Sequence, residues 1–146
     1  MRQRHAQIAL LFALASPAAL AGDAGTALAF AADDPGLAWG PCPDFMPEGC
    51  EIAVLQGDPA GESSDIFFKV PGNSVIPHHR HSSSERMVLV SGQLQVNYDG
   101  HEPRTLQPGM YAYGPPELGH SAVCAAGDPC ILFIAFDAPV DALPTN

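Results

Sequence analysis

The chain has 146 residues, the length of one domain, with 47 % apolar and only 15 % charged residues. That apolar fraction excludes an intrinsically disordered chain. The net charge of −10 sets aside nucleic acid and anionic lipid as partners, because both repel an acidic surface.

Arg2, Arg4 and His5 precede an apolar run from Ile8 to Ala15, which Pro17 interrupts before Ala19-Leu20-Ala21. A basic start, a short apolar stretch and a small-residue site mark residues 1–21 as a secretory signal peptide. Cleavage is expected after Ala21, with Ala29-Phe30-Ala31 as a second site. The run is shorter than the roughly 20 apolar residues of a membrane span. Gln3 splits the arginines, which argues against a twin-arginine signal. The expected location is periplasmic or secreted, with no membrane attachment after cleavage. Residues 22–36, rich in Ala, Gly and Asp, read as a flexible mature N-terminus, and the folded domain is expected over 37–146.

The four cysteines agree with export. Neither Cys42 and Cys50 nor Cys124 and Cys130 has the C-x-x-C spacing of a zinc knuckle or redox motif. Three disulfide connectivities are open to them. Cys42–Cys50 and Cys124–Cys130 are favoured, the second bracketing the turn signal Gly127-Asp128-Pro129.

From Glu51 onward, short β-rich runs alternate with turns. They cover residues 51–56, 65–70, 85–90, 93–98, 111–113, 120–124 and 131–136. Asp99-Gly100 is a hairpin signal, and Ser91-Gly92, Pro108-Gly109 and Pro115-Pro116 punctuate the rest. Val96 and Tyr98 fall on one face of their strand, Gln95 and Asn97 on the other. The last run, Cys130 to Phe136, is apolar on both faces and needs cover on both sides, from the core and from a terminal segment or a homodimer partner. The expected class is all-β, a closed or sandwiched barrel.

The segment around Pro77-His78-His79-Arg80-His81 carries the chemistry. Residues two apart on a strand share a face, so His79 and His81 point together, about 7 Å apart. Arg80 and His78 take the opposite parity and are left out of the site. Three serines then allow a turn before Glu85, which shares a face with Met87 and Leu89. His120 opens a later strand. Three imidazoles and one carboxylate make a nitrogen–oxygen donor set suited to one divalent ion of Fe, Mn, Co, Ni, Cu or Zn. Four ligands on one side leave room for substrate, water or dioxygen. Met87, Leu89, Tyr111 and Tyr113 are the candidate pocket wall. Glu117 is the one weak candidate for an acid–base role. His5 and His101 have no sequence partners.

These residues resemble the two motifs of the cupin superfamily. The first is met by His79-x-His81, three residues, Glu85, six residues and Gly92, with Gly72 one residue farther upstream than usual. The second is met by Gly109, five residues, Pro115 and His120, with Glu117 where Gly is usual and Cys124 where Asn is usual. The resemblance covers roughly Val70 to Val123. It implies a single-domain double-stranded β-helix, or jelly-roll, with metal in the barrel mouth, often as a dimer. It does not fix the chemistry. Two functions stay open: a small metal-dependent enzyme, oxygenase-like, acting on a small organic substrate, and a non-catalytic binding or sensor module whose metal anchors a ligand or staples the barrel.

Overall fold

The computed structural model describes residues 25–145, so the expected signal peptide lies outside the described residues. Among these residues there are eleven strands and no helix: β1 (Trp39–Pro41), β2 (Glu51–Gly57), β3 (Ser64–Val70), β4 (Val75–Arg80), β5 (Glu85–Ser91), β6 (Leu94–Tyr98), β7 (Arg104–Leu106), β8 (Tyr111–Gly114), β9 (His120–Cys124), β10 (Cys130–Phe136) and β11 (Leu143–Pro144). They form two antiparallel sheets, ordered β1-β2-β3-β10-β5-β8 and β11-β4-β9-β6-β7. The fold is all-β, two antiparallel sheets enclosing one core. Inward residues of both sheets meet in one core that includes Ile66, Val70, Leu89, Leu94, Val96, Leu132 and Ile134. Alternation drives this arrangement. In β10, Cys130, Leu132, Ile134 and Phe136 are buried while the residues between them are only half-buried. Its outer face at Phe133 lies beside Phe67 and residues 26–30, a terminal segment rather than a strand.

Four strands were not legible as runs. Strands β1, β7 and β11 are only two or three residues long. Strand β4 contains Pro77, which donates no ladder hydrogen bond. Its pairing with β9 shifts register between Ile76 and His79: Ile76 lies opposite Ala122, and His79 opposite His120. Three steps on β4 match two on β9, a bulge that turns Ile76 and His79 to the same interior. Without the extra residue, strand parity would point His78 inward instead.

Both favoured disulfides are present. Cys42–Cys50 ties the β1–β2 connection, and Cys124–Cys130 bridges the β9–β10 turn, with Cα atoms 5.5 and 5.9 Å apart. The second bridge backs directly onto the β5–β6 turn. There Gly92 has φ +80°, and an added Cβ would lie 2.8 Å from the Pro129 carbonyl and 2.9 Å from both Cα and Sγ of Cys130. Gly100 has a similar φ of +74° but open space around it. Gly92→Ala is therefore expected to cost roughly 2–4 kcal/mol, left-handed strain plus overpacking, and Gly100→Ala only the strain, about 1–2 kcal/mol. Urea denaturation of the two variants checks this, and equal costs would show that the Cys130 backbone yields.

Candidate metal centre

Strand β4 delivers His79, the loop just after it His81, the start of β5 Glu85, and the start of β9 His120. All four side chains are buried, at 4, 8, 5 and 5 % exposure. The donor atoms of the three histidines lie within 4.8 Å of one another, a group that could hold a metal ion. Glu85 stands outside that group of mutually close donors but beside two of its members: Oε1 is 3.6 Å from His81 Nε2, and Oε2 is 3.6 Å from His120 Nε2. These gaps are too long for hydrogen bonds.

The backs of the rings explain why the fronts converge. Nδ1 of His79 lies 2.8 Å from the Pro77 carbonyl, Nδ1 of His120 lies 3.2 Å from the Leu118 carbonyl, and Nδ1 of His81 meets the Asp141 carbonyl. A carbonyl only accepts, so each Nδ1 carries the proton and donates it. Each Nε2 lone pair is left facing inward. Outer partners of this kind fix the tautomer and ring orientation of metal-ligating histidines.

The electrostatics agree. Burial lowers the His79 pKa to about 4, and neighbouring His81 and His78 add to the shift against the Pro77 carbonyl. Burial, followed by His79, lowers His120 to about 3. Both imidazoles are thus neutral, the form that binds metal. Burial raises the Glu85 pKa. His81 Nε2 and Glu85 Oε2 are fully buried without a hydrogen-bond partner. Uncompensated buried polar atoms are costly, and a cation between them would satisfy both. The donor set fits a divalent ion.

The cluster opens onto a cavity of about 140 Å³. Met87 lines it, with Ile66, Phe68, Leu132, Phe136 and Ala122. Leu89, two residues farther along β5, is fully buried in the core but does not reach the cavity. Tyr111 and Tyr113 do not line it either; they are 58 and 50 % exposed. The register explains the correction: Met87 lies opposite Ala112 and Glu85 opposite Gly114, so the small residues of β8 face in and the tyrosines out. A Cβ on Gly114 would already meet Tyr98 Cε1 at 3.2 Å and Glu85 Oε2 at 3.4 Å, which leaves no space for a large side chain. Glu117 also lies outside the cavity lining, 57 % exposed at its side chain and paired with Arg80. It keeps the left-handed backbone, φ +65°, that suits the usual Gly, and its N–H donates to the His81 carbonyl at 2.8 Å.

Sequence reasoning missed the segment after β10. The Asp141 carboxylate accepts from Ser82 N at 2.9 Å and Ser82 Oγ at 2.5 Å. Ser83 Oγ accepts from the N–H groups of Asp137 and Ala138, and Ser84 Oγ donates to Asp137. The serines between His81 and Glu85 thus fasten the strap that supplies the carbonyl behind His81. Tyr98 was also missed: it lies opposite His120 across the β6–β9 ladder and packs on its ring at 5.3 Å.

Known proteins share this architecture. The chain is similar to the dimethylsulfoniopropionate lyase DddQ of Ruegeria pomeroyi, 28 % identical over 81 residues, which are 53 % of this chain and 40 % of that relative. The chain thus spans about two fifths of that relative's length. The solved DddQ structure from the same organism has a TM-score of 0.64 at 17 % identity, covering 75 % of this chain and 61 % of that one. An RmlC-like cupin from Shewanella frigidimarina gives 0.59 at 23 % identity, covering 72 % and 86 %. At these identities the structures show the fold alone. The model of the ChrR cupin-like domain matches residues 30–139, most of the chain and every strand but β11. The chain belongs to the ChrR cupin-like domain family.

Proposed function

We propose that this chain is a metal-dependent enzyme acting on a small organic substrate, with His79, His81, Glu85 and His120 as the ligands of one divalent transition metal. One observation carries the reading: three inward Nε2 lone pairs converge, with a carboxylate beside two of them, on the wall of an apolar cavity. When bound, the ion supplies Lewis acidity and, for redox-active metals, dioxygen activation. The protein holds the rings by the carbonyls of Pro77, Leu118 and Asp141, offsets one positive charge with Glu85, and excludes water with an apolar wall. Oxygenase-type chemistry fits best, because no cavity residue outside the ligand set is free to act as acid or base. Asp141 is engaged by Ser82, and Glu117 by Arg80. The similarity to a dimethylsulfoniopropionate lyase supports a small-molecule substrate. The two disulfides support an oxidising compartment, the periplasm or the exterior.

The same lack of a free acid or base favours a second reading, a binding or sensor module with the identical metal site. Turnover separates the two. Metal-loaded protein is screened against phenolics, diketones and carboxylates for substrate loss and oxygen uptake. His81→Ala is expected to lose metal by more than the roughly 10–100-fold typical of removing an outer partner, with all turnover. Turnover that survives His81→Ala overturns the enzyme reading. Tight binding without conversion selects the module.

The shifted histidines give a pH dependence. His79 and His120 titrate lower in the folded protein than in the unfolded chain, where the value is 6.5. As pH falls, the unfolded chain takes up protons first, so stability drops from pH 6.5 down through about 4 for His79 and about 3 for His120. Glu85, shifted upward, has the opposite sign: its contribution falls as pH rises above 4.5. With two groups against one, metal-free protein is expected to show a lower urea midpoint at pH 5 than at pH 7. A midpoint that instead rises would mean Glu85 outweighs both histidines. Bound metal steepens the drop, because protons compete for the imidazoles.

A further inference from the structure

We infer that the ligand of this site is a compact apolar monocarboxylate, its single carboxylate at the histidine cluster and its hydrocarbon body filling the barrel interior. The inference rests on the metal-dependent reading above and adds the class of molecule that enters.

Three properties of the cavity point to it. The first is the wall. Apart from the four donors and Asp141, every lining residue is apolar, including Ile52, Ile66, Phe68, Ile76, Leu132 and Phe136. The Asp141 carboxylate is already held by Ser82 N and Oγ. A ligand hydroxyl placed among these side chains would leave water and gain no partner. Sugars and other polyols are thereby rejected.

The second is charge. No Lys or Arg lines the cavity. Arg80 is turned outward to Glu117, and Arg86 to Asp137 at 2.5 Å. A divalent ion with one carboxylate ligand leaves one uncompensated positive charge, which one negative charge balances. A dianion, such as a dicarboxylate or phosphate ester, brings a charge with no partner in an apolar surround. A cationic group on the body meets there no carboxylate outside the cluster but that of Asp141, whose oxygens already accept from Ser82 N and Oγ. A phenol is not ionised at neutral pH, whereas a carboxylic acid is.

The third is size. A cavity of about 150 Å³ lined by Leu, Ile and Phe accepts benzene. The cavity here, about 140 Å³, is of the same kind and scale. It takes a body of about six carbons.

The test uses the full mature chain loaded with Co(II), whose visible absorption reports ligand geometry. Acetate, propionate, butyrate, isovalerate and benzoate are titrated by calorimetry, with and without metal. Affinity is expected to tighten by about fourfold for each carbon that fills the cavity, and to vanish without metal. Glucuronate, succinate and dimethylsulfoniopropionate are the counter-probes: a polyol monoanion, a dianion and a zwitterion with a cationic body. Each is expected to bind at least about tenfold more weakly than isovalerate or benzoate. Ala122→Leu, which fills the cavity wall, is expected to keep the cobalt spectrum while benzoate binding falls at least about tenfold. A loaded protein that binds none of the apolar acids, or binds a counter-probe equally well, overturns this inference and leaves the metal reading standing. So does a flat carbon-number series. Unchanged benzoate affinity in Ala122→Leu also overturns it. Failure to take up Co(II), Zn(II) or Fe(II) overturns the metal reading and this inference with it.

Discussion

Every imidazole of the cluster has two nitrogens with different duties, and the main chain decides which is which. Carbonyls at Pro77, Leu118 and Asp141 each take one Nδ1 proton. The opposite nitrogen is then unprotonated and aimed at the interior. A side-chain partner could swing away or titrate; a carbonyl fixed in a strand or turn, as at Pro77 and beside Leu118, or in a strap tied down by Ser82, as at Asp141, does not titrate and moves only with its backbone. The donor geometry is therefore as rigid as the barrel, and preorganised rings spend little freedom when an ion arrives. The cost is borne by the protein without metal, in which His81 Nε2 and Glu85 Oε2 are buried unpaired. Stability given up at one spot is the common signature of a site shaped for a guest.

That rigidity is inherited from the packing around it. The bulge at Pro77–His78 re-aims β4 so that apolar Ile76 and the candidate donor His79 share a face. The Cys124–Cys130 bridge closes the β9–β10 turn at the far end of the strand that begins with His120. Gly92 allows the β5–β6 turn to press against that bridge. The two sheets thus reach the cluster through strands whose ends are pinned on both sides.

The sequence exposed the candidate donors more clearly than their surroundings. His79, His81, Glu85 and His120 were legible because spacing and side-chain chemistry are written in the residues themselves. The pairing of Cys124 with Cys130 was legible because a turn signal sits between them. The face of β8 was not. Tyr-Ala-Tyr-Gly reads as aromatic-in, yet register against β5 turns Ala112 and Gly114 inward, where Glu85 and Tyr98 leave no room. Register is a property of two strands, and neither one's sequence states it. Strand β4 hid behind its proline, although the reading that paired His79 with His81 needed extended chain there. The Asp141 carbonyl had no sequence signal at all. It lies 60 residues from the ring it holds, and every residue carries a carbonyl.

The strap after β10 gives that distant contact a practical meaning. Segment 137–145 is held by Ser82, Ser83 and Ser84, by the Arg86–Asp137 ion pair, by Val140 against the core, by Thr145 on His78 and by a two-residue pairing with β4. The carbonyl behind the His81 ring therefore depends on side chains that follow β4. Loss of the Ser82 contacts, or a nick in the backbone beside Asp141, would let that ring turn and share its proton between nitrogens. The barrel and both bridges would stand unchanged while the orientation of one nitrogen was lost.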